Sequence, residues 1–289
     1  MKLAIGTAQF GMTYGIANQL GQVSADDAAA IIDLAGSSGI DTIDTAVDYG
    51  ASETALGNVG VKEYRLITKI PGLDELGVNV GVVIRQHVLQ SLKNLQISKL
   101  DGLLLHRPGE LLTPLGPALW RALNIVKDEG LVKKIGYSIY SPSQLDAIYQ
   151  LYPADIVQAP YNIVDRRICS SGWLERLSAN GVEVHVRSVF LQGLLLMSSN
   201  TRPTKFNEWS NLWTRWESWL EHNACSPLDG TIMSALANKH ISRVVVGVDS
   251  TDQLSEIIEA TKSGFDLTWP QELSSDCERL INPANWNSL

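Results

Sequence analysis

Along this chain, short apolar runs rich in β-branched residues alternate with longer stretches in which apolar residues return every three or four positions. The short runs predict strands at Leu3–Thr7, Thr42–Asp44, Leu66–Lys69, Gly102–His106, Lys134–Tyr137, Ile156–Gln158, Glu183–Arg187 and Val244–Gly247. Several are almost continuously hydrophobic, as strands of a parallel sheet covered on both faces should be. The stretches between them predict helices. Ser24 is placed to cap an Ala-rich helix over Asp26–Ala35, with Gly39 just past its end. Val83, Ile84, Val88, Leu92 and Leu95 share one face of a helix over Gly81–Leu95. Pro117–Lys127, Ser143–Gln150 and Ile168–Ala179 continue the alternation, and Asp252–Lys262 follows the last strand.

Eight strand-then-helix units without a Pro-, Gly- or Ser-rich linker predict a single-domain α/β fold, a (β/α)8 TIM barrel over residues 1–289. Length alone leaves room for two average domains. The structural rival is an open doubly wound sheet, which normally carries G-x-G-x-x-G after its first strand. The segment Gly6-Thr7-Ala8-Gln9-Phe10-Gly11 does not fit that pattern.

Composition narrows the function classes. A net charge of −8 argues against nucleic-acid and anionic-membrane partners, and no apolar run reaches membrane-spanning length. Met1-Lys2 runs straight into Leu-Ala-Ile-Gly-Thr without the apolar core of a leader, and Cys169, Cys225 and Cys277 are too scattered for a metal site. The expectation is a cytoplasmic protein with free thiols and no metal, either monomeric or a small homo-oligomer.

A barrel of this kind carries its chemistry at the C-terminal ends of its strands. The second strand delivers Asp44 there and its loop delivers Tyr49; the third ends on Lys69 and the fourth on His106. Taken singly, each residue has an ordinary structural reading, such as a helix cap, a surface side chain or a loop anchor. Taken together they form a proton-transfer set. The ammonium should favour the phenolate and lower the Tyr49 pKa from about 10. Asp44 should keep Lys69 charged, and His106 should hold a carbonyl oxygen beside the phenol.

The motif Asp44-Thr45-Ala46-x-x-Tyr49-Gly50, with Ser52-Glu53 and Leu56-Gly57 following, resembles the signature of the aldo-keto reductase family, and the likeness extends from Gly6-Thr7 to about Glu256. The resemblance implies a barrel that transfers hydride between NADH or NADPH and a carbonyl, with Asp44, Tyr49, Lys69 and His106 as the catalytic tetrad and Tyr49 as general acid. It also implies cofactor contacts. Ser138 and Gln158 match residues that hold the nicotinamide amide, whereas Ile139 replaces the expected Asn. Arg187 stands where the family has an aromatic residue stacked on the nicotinamide, and a planar guanidinium could take that place. Gly6, Thr7 and Ser188 are also implied as cofactor contacts, and Phe190, Gln192 and Gly193 resemble the loop that covers the pyrophosphate, although Gly193 could equally be a structural turn.

At the adenosine end the resemblance points to Gly247, Asp249, Gln253 and Glu256, where NADPH-preferring relatives place Arg or Lys. An Asp beside a ribose accepts from its hydroxyls and repels a 2′-phosphate, which leans towards NADH unless Arg243 or Lys262 compensates. The resemblance implies a small carbonyl compound as substrate, and Gln9, Tyr14, Arg107 and Asn162, expected at the pocket mouth, hint at a polar, sugar-like one. Trp209, Trp213, Trp216 and Trp219 share a helical face, read as core packing with an aromatic flap over substrate as the alternative. Two other functions fit the same barrel: a Lys69 Schiff-base aldolase, or a regulatory barrel that binds the cofactor with little turnover.

Overall fold

In the computed structural model, which describes residues 1–18, 20–73, 79–262 and 268–289, eight parallel strands pair in sequential order and close on themselves. They are β1 (Leu3–Gly6), β2 (Thr42–Asp44), β3 (Arg65–Ile70), β4 (Leu100–Leu105), β5 (Val132–Ser138), β6 (Ile156–Pro160), β7 (Glu183–Arg187) and β8 (Arg243–Gly247). Ile5 opposite Ile43 and Leu3 opposite Val244 join β1 to both β2 and β8, which closes the ring. The chain is a single-domain (β/α)8 barrel. His106 falls one residue beyond β4, in the loop, rather than at the strand's end.

The helices begin where the sequence offers caps. Ser24 Oγ accepts from Asp27 N at 3.1 Å to start the helix Ala25–Ser37, and Asn79 caps Val80–Leu95. Gly116–Asp128, Pro142–Ile148 and Thr251–Ala260 follow their strands as the periodicity predicts. The segment 168–179 departs from that reading. It divides into Arg167–Ser170 and Trp173–Ala179, because Gly172 sits at φ 76°, where an α-helix cannot continue. Helices also form at Ser52–Val59 and Pro227–Leu236. Among the described residues, no helix is long and apolar enough to cross a membrane, and the three cysteines are unpaired.

Alternate residues of each strand face the barrel axis. Ile67, Leu104 and Ile156 form a small buried cluster of their own in that interior. Two residues further along the same strands come Lys69, His106 and Gln158, so strand geometry brings these three to one mouth. Two residues back from Ile67 is Arg65, which closes the opposite mouth: its Nη2 lies 3.0 Å from Glu183 Oε2, and Lys134 Nζ lies 2.7 Å from Glu183 Oε1. A dry apolar belt therefore separates two polar ends.

A second core lies outside the barrel. Phe206, Trp213, Trp216, Leu280 and Trp286 are buried in it, with Trp216 and Trp219 stacked at 5.5 Å. Trp216 Nε1 donates to Leu195 O at 3.2 Å and Trp213 Nε1 to Phe206 O at 2.8 Å. The tryptophan stripe is core, as its spacing suggests, and it steadies the loop after β7 instead of capping the pocket.

Glu183 yields a stability prediction. The contact with His185 (3.4 Å), then Lys134 and Arg65, hold its carboxyl well below the usual range against the opposing effect of burial. A depressed carboxylate pKa stabilises the fold above the ordinary carboxylate range, and that stability is lost as pH falls towards the folded pKa. Glu183→Gln should cost about 1–3 kcal/mol in urea denaturation at pH 7. The gap from the parent protein should close as the pH is lowered below about 4; a gap that stays constant from pH 7 to pH 3 would contradict the assignment.

Candidate active site

Lys69 is fully buried. Its Nζ donates to Asp44 Oδ1 at 2.6 Å and to Thr45 O at 2.8 Å, while Gln158 Nε2 donates to Asp44 Oδ2 at 2.7 Å. Each carboxylate oxygen thus has a partner, which is what a charge removed from water requires. Burial alone would lower the Lys69 pKa, but the charge and hydrogen bond of Asp44 outweigh it and the net shift is upward. Lys69 is an ammonium.

Tyr49 lies beside this pair, its ring centroid 5.1 Å from Lys69 Nζ. The sequence expectation of a lowered phenol pKa is reversed here. Burial is the largest influence and pushes it up, Lys69 opposes, and Asp44 adds to the rise. The Lys69 charge is largely spent on Asp44, so the phenol feels a near-neutral pair rather than a free cation, and the phenol holds its proton.

His106 meets the Tyr49 ring edge-on, with centroids 6.0 Å apart. Its Nδ1 lies 3.1 Å from Asp48 Oδ2, a carboxylate exposed at the cavity wall. That contact places the proton of the neutral ring on Nδ1 and leaves Nε2 as an acceptor. Burial first, and the Lys69 charge second, lower the His106 pKa against the pull of Asp48. The neutral ring therefore accepts from an alcohol hydroxyl, and only the imidazolium donates to a carbonyl oxygen. The expected carbonyl hydrogen bond belongs to the protonated form alone.

These groups close one end of a cavity of about 1100 Å³. From Tyr49 and His106 it runs past Gly6, Thr7, Ser188, Phe190, Gln192 and Gly193 to Gly247, Asp249, Gln253 and Glu256, with Gln9 and Tyr14 on its wall. Its volume lies at the upper end of the range for small-molecule pockets. Asp44 lines it and Lys69 lies behind. Besides Lys69, four residues expected at the site do not line it. Asn162 is fully buried, donating to Ser188 O and accepting from Val164 N and Asp165 N, so it anchors the loop after β7. Arg107 is exposed at the start of a short 3-10 turn, Pro108–Leu112. Ser138 and Gln158 are buried beneath the floor, linked to each other at 3.3 Å, and Gln158 spends its amide on Asp44.

Arg187 reaches from β7 across β6, donating to Ile139 O (3.1 Å), Ser188 Oγ (3.3 Å) and Ser138 Oγ (3.4 Å). Its guanidinium lies 4.6 Å from the Tyr140 ring centroid, so the expected stacking partner is already an aromatic ring of the protein. Tyr140 and Asp48 were missed in sequence, although Tyr140 stands two residues after Ser138 and Asp48 directly precedes Tyr49. Ser226 and Asp229, which also line the cavity, form a readable capping box ahead of Pro227–Leu236.

Residues 2–268 match the model of the aldo/keto reductase family, and the chain belongs to that family. Its members are NAD(P)H-dependent carbonyl reductases. The chain is 32% identical over 146 residues to the NADH-specific methylglyoxal reductase of Escherichia coli strain K12, covering 50% of this chain and 44% of that protein. It therefore spans less than half of that relative's length. It is 26% identical to L-galactose dehydrogenase of Arabidopsis thaliana, covering 98% of this chain and 92% of the relative. The holo form of an aldo-keto reductase from Bacillus halodurans has the same fold, with a TM-score of 0.74 at 23% identity over 92% of this chain and 88% of that one.

The Asp48–His106 contact predicts a pH signature. Carbonyl reduction should lose kcat/KM as pH rises through the His106 pKa, and alcohol oxidation should gain it. Asp48→Asn retains an acceptor but removes the charge that raises that pKa, so both transitions should move to lower pH by about one unit. Superimposable profiles for the variant and the parent protein would refute this reading of the contact.

Proposed function

We propose that the protein reduces a small carbonyl compound to an alcohol with a reduced nicotinamide cofactor, using Tyr49 as proton donor. The observation that carries this is the buried Lys69–Asp44 pair beside the Tyr49 phenol, at one end of a cavity of about 1100 Å³. The cofactor supplies hydride to the carbonyl carbon. Tyr49 Oη holds the proton that the developing alkoxide takes, and the Lys69 ammonium steadies the phenolate left behind. Thr7, Gly193 and Gly247 offer the cofactor a narrow cradle, whereas Ser138 and Gln158 would have to turn out of their present bonds to reach its amide.

A Schiff-base role for Lys69 has less support. Its nitrogen is fully buried, ion-paired and raised in pKa, the opposite of an amine prepared for nucleophilic attack. A regulatory barrel would share the cavity and is separated from an enzyme by turnover. Tyr49→Phe preserves the pocket shape and removes the acid. Turnover should fall about 10²–10⁴-fold with cofactor affinity nearly intact; near-normal turnover would show that another group supplies the proton.

For the cofactor, the adenosine end favours NADH. Asp249, Glu256 and Glu259 line it, and Arg187 is the only Lys or Arg among the described lining residues. Of the two cations that could offset them, Arg243 is bonded to Asp41 at the opposite mouth, and Lys262 pairs with Glu259 at 2.6 Å, which leaves Asp249 and Glu256 without an ion-pair partner among the described residues. The names of the Escherichia coli and Arabidopsis thaliana relatives, one NADH-specific and one acting on L-galactose, agree with NADH and a small polar carbonyl. Cofactor fluorescence titration should show NADH binding about tenfold or more tighter than NADPH, as like charge at Asp249 and Glu256 implies. Tighter NADPH binding would reject the assignment.

A further inference from the structure

The reaction end of the cavity holds one guanidinium with no anion to balance it. Its two carboxylates are committed, Asp44 to Lys69 and Gln158 and Asp48 to His106. Arg187 meets only neutral oxygens, at 3.1–3.4 Å, and the π face of Tyr140. No described carboxylate forms an ion pair with it. A half-buried cation in that state lacks the compensation that such groups normally have, and its planar fork matches a carboxylate or a phosphate in two parallel hydrogen bonds.

We infer that Arg187 recognises an anionic substituent, a carboxylate or phosphate, carried by the carbonyl substrate. This rests on the reductase reading and adds the substrate class to it. Position selects the substrate over the cofactor as the source of the anion. The side chain starts on β7 but is drawn across β6 to the end of β5, towards the Tyr140 and His106 side of the mouth. The loop at Phe190–Gly193 and the end of β8 at Gly247, which would face a pyrophosphate, lie on the other side of it. The guanidinium lines the same cavity as Tyr49 and His106, and its charge opposes protonation of His106. The remaining lining carboxylates, on and around Thr251–Ala260 and at Asp229, lie at the adenosine end and would not oppose an anion held there.

The test is a matched-pair measurement of kcat/KM on the purified protein with NADH or NADPH. Succinic semialdehyde is compared with butanal, and glyceraldehyde 3-phosphate with glyceraldehyde. The charged member of at least one pair should be preferred by about 10–100-fold, the range for hydrogen bonds to charged groups. Arg187→Gln should bring that ratio close to one, and Arg187→Lys should restore part of it. Equal rates for charged and neutral members, or a ratio that survives Arg187→Gln, overturns the inference while leaving the reductase reading standing. A ratio that persists while Arg187→Gln weakens NADH binding reassigns the guanidinium to the cofactor and likewise overturns it. If neither member of either pair turns over, the reductase reading fails. Competition between 4-hydroxybutanoate and 1-butanol for the cofactor-loaded protein, followed by cofactor fluorescence, then decides the anion site: equal affinities reject it.

Discussion

The Lys69–Asp44 ion pair is the contact on which the active end of this barrel depends. An ammonium and a carboxylate within a barrel interior lose several kcal/mol of hydration each. They persist because every strong valence nearby is answered, with Asp44 bonded on both oxygens and Lys69 bonded also to Thr45 O. The pair ties β2, β3 and β6 together at one height. That commitment has consequences for its neighbours. Gln158 is held under the floor, and Tyr49 sees a nearly neutralised pair, so its phenol keeps its proton. The protonated state of the phenol thus follows from burial beside a paired lysine, not from a bare lysine charge.

Around this pair the barrel keeps two polar ends apart. Ile67, Leu104 and Ile156 form the apolar belt, and the Arg65–Glu183–Lys134 cluster seals the far mouth. The active mouth is shaped by loops, and the loop after β7 is the most constrained. Ser188, Leu191 and Gln192 all have positive φ, a conformation that costs of order 1–3 kcal/mol per residue and survives only where surroundings enforce it. The enforcement is visible. Asn162 holds Ser188 O from the barrel side, and Trp216 holds Leu195 O from the second core. The tryptophan helix serves the site at a distance, by fixing the cavity wall.

Charge along the cavity is uneven. Asp249, Glu256 and Glu259 gather at one end, while the other contains the Lys69–Asp44 pair, the His106–Asp48 pair and Arg187, which forms no ion pair with a described carboxylate. Membership of the aldo/keto reductase family does not account for this distribution, which comes from Asp48, Arg187 and Asp249.

The sequence by itself determined the barrel and the four residues at its mouth. Strand order, the near-continuous apolar runs and the two-residue alternation follow from local periodicity, and alternation carries Lys69, His106 and Gln158 to the same end without further information. What the sequence could not determine depended on distances between residues remote along the chain. Periodicity crossed the break at Gly172, because apolar spacing does not report φ. It put Asn162 at the pocket mouth, where the fold buries it as a loop anchor. The direction of the Tyr49 shift, the stacking of Arg187 on Tyr140 and the proton position on His106 each turn on a few ångströms of tertiary placement. Residue types set which charges are available; only the closed barrel decides which are already paired, and that decides what the site has left to offer a substrate.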